Sequence, residues 1–439
     1  MAPNQVWLAI FFPALVYYTF YSPATTPILS YLNLLPSYTP LETTINLEKA
    51  TKEEIGKLLD DGKKFETVFT DETASFYDMT WMEDVDLGRG YLLLSDSSSS
   101  GKVWRYETGG GLVPIGKSLF LDHSGCRSNL WASCETNSNA GSKGLVAQIS
   151  KDEDNFQIGS LVIVESGEAR IVRLEEDGAR TPLVLNVLSP CGTGVDGRLN
   201  RPGRLLYTPF GDLLFTDTAK CSGQSDEEIS EKTVVYRLKE VVNIPQIKFQ
   251  QSRDAHSWTI QEMAVHTPEA LSSIEISYTG MDYISDMIIG KDLTSLFIAG
   301  SISLLEGGCR RVITKVNDDT GNTNVQDLDK KPIFFDMSTF YPAGNCSDEG
   351  ISMTINADGY IFASYPGGVA VIDPWGELLS TITVVMESEE GESIDVAPNG
   401  LIIGNDGYLY MTTEKNLLRL KIKTGALDYP TNLIVPTKK

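Results

Sequence analysis

The stretch Asp358–Gly376, DGYIFASYPGGVAVIDPWG, carries the pattern that decides the fold. An Asp-Gly turn leads into the apolar run Tyr360–Ser364, a Pro-Gly-Gly turn follows, and a second apolar run, Gly368–Ile372, ends at another turn. Apolar runs of about five residues between glycine-containing turns are typical of short β-strands joined as hairpins. The stretch therefore predicts two adjacent antiparallel strands.

The same unit recurs along the chain. The clearest second copy is 405–425, NDGYLYMTTEKNLLRLKIKTG, and related copies occur at 91–106, 159–178, 211–217 and 296–301. Units of this size bury a core only by packing against one another. Six units over residues 66–432 average roughly 60 residues each, which suits one closed ring of four-stranded blades. The sequence predicts an all-β fold, a six-bladed β-propeller, with residues 122–144 and 222–284 as long loops on one face.

Charge and composition exclude several functions. The chain has 439 residues, of which 36 are basic and 59 are acidic, for a formal charge of −23. Nucleic acid and anionic lipid headgroups repel such a protein, so neither is an expected ligand. Only three histidines are present, which leaves little room for a zinc site built on histidine ligands.

The front of the chain differs from the rest. Residues 1–41 carry no charged side chain, and residues 6–21 are almost wholly apolar, which is typical of a signal sequence or a membrane anchor. The alternative is a buried N-terminal helix or strand. Residues 42–65 favour a short amphipathic helix, read as a stalk, and residues 66–439 form the propeller. This organisation places the protein in the secretory pathway, either anchored with a lumenal or extracellular propeller or secreted.

The six cysteines suggest an oxidising compartment. None shows the C-x-x-C spacing of a zinc ribbon or a redox motif. Cys126 and Cys134 would close a short loop, and pairing of Cys191 with Cys221 and of the last two cysteines with each other is plausible but not deducible. Unpaired thiols are the alternative. Asn345 lies in the one glycosylation sequon of the chain.

Four segments carry a resemblance to a known family. Residues 162–184, Leu199–Asp217, Ser347–Ile372 and Asn399–Leu420 resemble, in order, blade segments of the senescence-marker-protein/gluconolactonase family. Its members are six-bladed propellers that act as calcium-dependent lactonases and esterases. The similarity covers roughly residues 70–425. Strictosidine-synthase-like propellers, some of them membrane-anchored, resemble the chain in the same architecture.

The resemblance implies a particular chemistry. In that family a Ca²⁺ ion at the mouth of the central tunnel is held by oxygen ligands, and it polarises a lactone or ester carbonyl. A nearby carboxylate handles the proton of water or of the leaving oxygen. The expected cofactor is therefore Ca²⁺ or another divalent cation, and the expected partner is a small-molecule substrate.

The resemblance assigns acidic candidates position by position. The family's first glutamate falls on Tyr77, or on Asp78 after a one-residue slip. Its middle asparagine aligns with Asp286, and its later aspartate aligns with Asp348 or Glu349, which are also the catalytic candidates. The expected metal ligands are therefore Asp78, Asp286, Asp348 and Glu349. The alternative is that these are ordinary turn residues, because Asp and Asn often cap turns.

The chain departs from the family at one ligand position. The family's asparagine that faces the metal falls on Gly203, and the next residue is Arg204. An oxygen ligand is therefore lost, and a positively charged side chain follows it directly. We interpret Arg204 as a reader of a substrate carboxylate or phosphate, with a surface ion pair as the alternative. Asn200 and Asn399 complete the candidate substrate-binding set.

Three functions follow from these observations. The first is a metal-assisted hydrolase of lactones or related esters. The second is a divergent propeller without catalysis that binds a small molecule or a protein, and the departure at Gly203 and Arg204 favours it. The third is a strictosidine-synthase-like enzyme, which would need a lone glutamate in an apolar pocket.

Overall fold

Six mainly antiparallel sheets follow one another along the chain in a computed structural model of the protein, and they form the blades of a β-propeller. The predicted all-β, six-bladed architecture is therefore confirmed. The structure describes residues 39–47, 52–59, 64–84, 89–98, 101–107, 116–121, 124–125, 141–152, 155–175, 180–187, 197–222, 229–239, 274–304, 308–317, 326–341, 350–387, 393–396 and 398–427.

An N-terminal segment precedes the first blade, and its described residues form three strands and one helix. These are β1 (Thr39–Pro40), β2 (Glu42–Leu47), α1 (Lys52–Leu58) and β3 (Glu66–Thr70). Helix α1 has two acidic residues in its first turn and Lys57 in its last, an arrangement that complements the helix dipole.

Blades 1 to 3 follow in chain order. Blade 1 comprises β4 (Phe76–Asp84), β5 (Arg89–Asp96), β6 (Val103–Glu107) and β7 (Gly116–Leu121). Blade 2 comprises β8 (Ser142–Asp152), β9 (Asn155–Glu165), β10 (Arg170–Leu174) and β11 (Arg180–Val184). The ribbon of β12 (Asn186–Val187) and β13 (Gly197–Arg198) leads to blade 3, which comprises β14 (Pro202–Tyr207), β15 (Leu213–Ser222), β16 (Ile229–Leu238) and β17 (Ile274–Thr279).

Blades 4 to 6 complete the ring. Blade 4 comprises β18 (Tyr283–Ile289), β19 (Ser295–Ser303), β20 (Cys309–Asn317) and β22 (Ile333–Asp336). Strand β21 (Gln326–Asp327) precedes β22 in the chain but lies at the edge of blade 3. Two 3-10 helices, Leu328–Lys330 and Ser338–Phe340, flank β22. Blade 5 comprises β23 (Met353–Ile355), β24 (Ile361–Tyr365), β25 (Gly368–Ile372) and β26 (Leu378–Glu387), which β27 (Ser393–Asp395) joins. Blade 6 comprises β28 (Gly400–Ile403), β29 (Tyr408–Thr412) and β30 (Asn416–Lys421).

The N-terminal segment closes the ring. Strand β3 pairs with β30 and so supplies the outer strand of blade 6, while β1 adds to its edge. Strand β2 pairs with β26 as the outer strand of blade 5. These pairings join residues 39–70 to the last two blades of the ring.

The packing of α1 differs from the predicted stalk. Ile55 and Leu58 are buried in the apolar cluster shared by blades 5 and 6. The backbone amide of Lys423 donates a hydrogen bond of 2.9 Å to the carbonyl of Leu58. A helix is present inside the predicted range of 42–65, but it packs on the propeller, and residues 42–47 form strand β2 instead. The reason is long-range pairing with β26, which local sequence does not encode.

Each blade has two apolar faces because it lies between two neighbours. In β25, every residue of Gly368–Ile372 is buried. Val369 and Val371 join the cluster shared with blade 6, whereas Ala370 and Ile372 join the cluster shared with blade 4. A strand that is buried on both faces reads as a continuous apolar run, as the sequence shows.

The turn before β25 requires glycine. Gly367 has φ +110°, in the region that side chains disfavour. A Cβ atom added to Gly368 would collide with the carbonyl oxygen of Ile382 in the next strand. The Pro-Gly-Gly signal therefore marks a close approach of two backbones.

Several predictions fall outside the described residues. They concern the apolar segment before residue 39, Cys126, Cys134, Cys191, Cys346 and the sequon at Asn345. The predicted cysteine pairs each include at least one of these positions, so they stay predictions. Within the described ranges, no helix combines the length and apolar character that crossing a membrane requires.

Candidate active site

The innermost strands of the six blades surround a cavity of about 270 Å³ at the centre of the ring. The lining is contributed by Asp78–Trp81, Leu145–Ala147, Arg204–Tyr207, Asp286–Ile289, Ser352–Ile355 and Leu401–Ile403. Ala426 and Leu427 lie at the far end, where Ala426 bridges to Asn356 just after β23. Most of the wall is aliphatic, and charged groups lie at the end where these strands begin.

Arg204 crosses the tunnel at that end. Its Nη1 atom lies 2.6 Å from Oδ1 of Asp78 in blade 1, and its Nε donates to the carbonyl of Ser285 in blade 4 at 2.7 Å. Its Nη2 reaches the carbonyl of Asn399, beside blade 6, at 3.4 Å. The ring of Tyr77 lies 5.1 Å from the guanidinium carbon, within range of a cation–π contact. One side chain of blade 3 therefore contacts three other blades.

Asp78 is held independently of Arg204. Its second carboxylate oxygen, Oδ2, accepts a hydrogen bond of 3.0 Å from the backbone amide of Leu145 in blade 2. Its own backbone amide donates to the hydroxyl of Ser95 in the neighbouring strand at 2.8 Å. The carboxylate thus joins blades 1 and 2 as well as neutralising the guanidinium.

Asp286 is the second carboxylate beside Arg204, with Oδ1 at 4.0 Å from Nε of Arg204. Its oxygens accept hydrogen bonds from the amide of Met287 at 2.8 Å, the amide of Met353 at 2.7 Å and the hydroxyl of Ser352 at 3.2 Å. Burial raises the pKa of Asp286 above its ordinary value, although Arg204 and these amides act in the opposite direction.

The guanidinium of Arg204 stays positively charged. Burial alone would lower the pKa of Arg204, but the carboxylates of Asp78 and Asp286 raise it above its ordinary value. The Arg204 side chain is only 8% exposed. We call Asp78, Arg204, Asp286 and Ser352 the polar layer.

The polar layer also holds blades together. The hydroxyl of Ser352 accepts a hydrogen bond of 3.0 Å from the amide of Leu401, which joins blades 5 and 6. The side-chain amide of Asn399 donates to the carbonyl of Phe76 at 2.8 Å, which joins blades 6 and 1. These contacts place each side chain of the layer at a seam between blades.

Gly203 lies at a tight contact between β14 and β15, directly before Arg204. The amide of Arg204 donates to the hydroxyl of Thr216 at 2.9 Å, which anchors β14 to β15. A Cβ atom at position 203 would lie 2.9 Å from that same hydroxyl, so a larger residue there would displace Thr216. The glycine at this position therefore allows β14 to lie close against β15 beside Arg204.

Comparison with solved structures identifies the architecture. A gluconolactonase of Xanthomonas campestris superposes with a TM-score of 0.54 at 18% identity, over 88% of this chain and 98% of that chain. A candidate gluconolactonase from structural genomics gives a TM-score of 0.52 at 15% identity, over 88% of this chain and all of that chain. The chain has the gluconolactonase propeller fold. No family model and no curated protein sequence matches it.

The described residues of this gluconolactonase-like propeller do not fit a resident Ca²⁺. Such an ion takes roughly six to eight oxygen ligands at about 2.3–2.6 Å. Here the guanidinium of Arg204 already lies against Asp78 and near Asp286, and no cluster of three metal-ligating side chains occurs among the described residues. The expectation of Ca²⁺ now depends on Asp348 and Glu349, which lie outside the described residues.

The remaining predicted residues divide into two groups. Asp78, Asp286 and Arg204 come together, as ion-paired neighbours rather than as separate ligand and substrate-binding groups. Asn399 is adjacent through its carbonyl oxygen. Asn200 instead donates to the carbonyl of Thr218 at 2.7 Å within its own blade, and it does not line the cavity.

Sequence reasoning missed Ser352 and Ser285. Ser285 contributes its carbonyl to Arg204 and its hydroxyl to the amide of Ile351 at 3.1 Å. A signal was present, because Ser352, just before β23, and Thr354, within it, alternate with apolar residues, and both polar residues are buried. Polar residues at alternate positions of an inner strand point to the tunnel side.

Asp217 lies beside the predicted Asn200 and makes the stability of this propeller depend on pH. Burial raises the pKa of Asp217 to about 6, although the backbone amides of Asn200, Arg201 and Thr218 lower it. Because the folded state holds the proton more tightly than the unfolded chain, Asp217 contributes stability below its unfolded pKa and this contribution is lost as pH rises through the folded pKa.

We expect the stability of the wild type, relative to Asp217→Asn, to fall by about 2 kcal/mol between pH 4 and pH 7, because two pKa units correspond to roughly 3 kcal/mol and the unfolded carboxyl is already about half ionised at pH 4. Urea unfolding of both proteins at intervals across this range measures the difference. Asp358→Asn, an exposed turn residue, serves as the control. A difference that stays constant, or grows with pH, would contradict the assignment.

Proposed function

We propose that the protein is a hydrolase of lactones or related esters that acts at the polar layer of its central tunnel. The shared gluconolactonase fold supports the class of reaction. The observation that carries the proposal is the guanidinium of Arg204, buried at the tunnel axis between two carboxylates. A fixed positive charge in a water-poor site is suited to stabilising a developing oxyanion.

Arg204 retains donors for a substrate. A guanidinium has five N–H groups, and the described residues accept hydrogen bonds from three of them, through Ser285, Asp78 and Asn399. The two remaining N–H groups would donate to the carbonyl oxygen of the substrate. As the tetrahedral intermediate forms, these hydrogen bonds strengthen because the oxygen gains negative charge.

Asp286 supplies the proton transfers. In its ionised form it accepts a proton from water while the water oxygen attacks the carbonyl carbon. The C–O bond to the alkoxide then breaks, and the carboxyl of Asp286 returns the proton to that alkoxide. The products are a hydroxy acid from a lactone, or an acid and an alcohol from an ester. The raised pKa of Asp286 brings it closer to that of an effective acid–base at neutral pH.

The cavity favours an apolar substrate. Below the polar layer its wall consists largely of aliphatic side chains, among them Leu206, Ile288 and Ile402. Its volume of about 270 Å³ is slightly below the range of roughly 300–1,000 Å³ that is usual for ligand pockets. We therefore propose a small lactone or ester with an aliphatic substituent rather than several hydroxyl groups.

The test is a turnover assay of the purified full-length chain in detergent. The panel pairs alkyl-substituted lactones and short-chain esters with polyhydroxylated lactones, each in chelator and in Ca²⁺. We expect hydrolysis of the alkyl compounds and a lower kcat/KM for the hydroxylated ones. Absence of turnover across the panel under both conditions would remove the hydrolase proposal.

A non-catalytic binding propeller is the second candidate. The observation that favours it is the structural use of the polar layer, since Asp78, Asp286 and Ser352 each accept a backbone hydrogen bond from the next blade. Ligand-dependent thermal stabilisation without turnover would favour this candidate. For the strictosidine-synthase-like alternative, the described lining of the cavity contains no glutamate.

The cellular setting remains part of the proposal. We propose that residues 1–41 direct the chain to the secretory pathway and anchor it, or are cleaved to release it, because this segment is uncharged and apolar. Carbonate extraction of membranes tests the anchor. Complete release of an uncleaved chain would contradict it.

A further inference from the structure

We infer that Arg204 takes the place of a divalent cation in this propeller. In the wild type the guanidinium is the counter-ion of Asp78 and Asp286 and excludes a metal ion from between them. Removing that side chain creates a site for Ca²⁺. The inference is independent of the proposed hydrolase activity, because it concerns binding and stability only.

Apart from the ring of Tyr77, the described groups that contact the guanidinium are hard oxygen atoms. They are the carboxylates of Asp78 and Asp286 and the main-chain carbonyls of Ser285 and Asn399. Carboxylate and carbonyl oxygens are the ligands that Ca²⁺ prefers, with water completing the shell. The site therefore has oxygen atoms of the kind that bind a cation, and the guanidinium of Arg204 is the cation that they contact.

The carboxylates do not depend on Arg204 for their positions. Oδ2 of Asp78 is held by the amide of Leu145, and Asp286 is held by the amides of Met287 and Met353. These donors belong to inner strands of the propeller. When the arginine is truncated, both carboxylates stay in place with their charges uncompensated, and like charges brought together favour a bound cation.

The position of Arg204 is specific to this role. The backbone amide of Arg204 is anchored to the hydroxyl of Thr216, beside the tight contact at Gly203. The side chain is buried, with 8% of its surface exposed, so it is not a surface arginine that happens to lie near acids. Its planar fork contacts several acceptors at once, which a lysine point charge does less well.

The experiment compares thermal unfolding of chelator-treated full-length protein in detergent, with and without CaCl₂. We expect the Tm of the wild type and of Arg204→Lys to change by less than about 1 °C. We expect the Tm of Arg204→Ala to rise by about 3 °C at a Ca²⁺ concentration 100 times its Kd. The double variant Asp78→Asn/Arg204→Ala should lose most of this rise, since one carboxylate ligand is gone.

Calorimetric titration of the wild type with CaCl₂ gives the second readout, and no heat of binding is expected. The inference would be overturned if the wild type bound Ca²⁺ and Asp286→Asn abolished that binding. It would also be overturned if the Tm of Arg204→Ala did not change when Ca²⁺ is added. If Arg204→Ala does not fold in chelator, Ca²⁺ during expression and purification should restore folded protein. Failure of Ca²⁺ to restore it, while Arg204→Lys folds, would equally overturn the inference.

Discussion

Arg204→Ala is expected to lower the free energy of unfolding by about 3–5 kcal/mol in the absence of divalent cations. The truncation leaves Asp78 and Asp286 buried without their counter-ion, with side chains only 15% and 13% exposed. Removing one partner of a buried ion pair lowers the free energy of unfolding by much more than the net contribution of the pair, because the remaining charge stays buried without a counter-ion. Urea unfolding followed by circular dichroism measures the change.

An exposed arginine provides the matched control. Arg310 contacts Asp336 through two nitrogen atoms at 2.9 and 2.8 Å, but both side chains are well exposed to solvent. Arg310→Ala should therefore lower the free energy of unfolding by less than about 1 kcal/mol. Equal losses for the two variants would show that Arg204 is not a buried counter-ion.

The fold was predictable because its signals are local. Each hairpin of the 358–376 and 405–425 units combines apolar runs with turns that require glycine, and the structure forms β24–β25 and β29–β30 there. Strand β2 was not predictable in the same way. Its partner β26 lies more than 300 residues away, and the charged residues around it favour a helix when read locally.

The sequence indicated individual candidate residues for the tunnel, but it did not indicate how they pair. Asp78 and Asp286 were expected as metal ligands and Arg204 as a reader of anions. The sequence distance between Asp78 and Arg204 is 126 positions, so their ion pair arises only when the ring closes. Folding brings these three polar residues into one ion-paired cluster, in which a guanidinium lies beside the two carboxylates.

The same side chains serve stability and the proposed chemistry. Asp286 accepts the amide of Met353 from the next blade and also faces Arg204. A variant at this position therefore disturbs packing as well as any proton transfer. Separating the two effects requires a substitution of similar shape and a measurement of folding beside the measurement of rate.

Asp286→Asn is the most informative such variant, and we expect it to lower kcat by about 10²–10⁴-fold on a lactone that the wild type hydrolyses, because an amide neither accepts nor returns a proton. KM should change much less, since Arg204 still binds the carbonyl. Asp358→Asn, the same substitution at an exposed turn, should leave kcat unchanged, and both variants should remain folded when assayed. An Asp286→Asn protein with wild-type kcat would show that this carboxylate only joins blades, and the acid–base role would have to pass to another group.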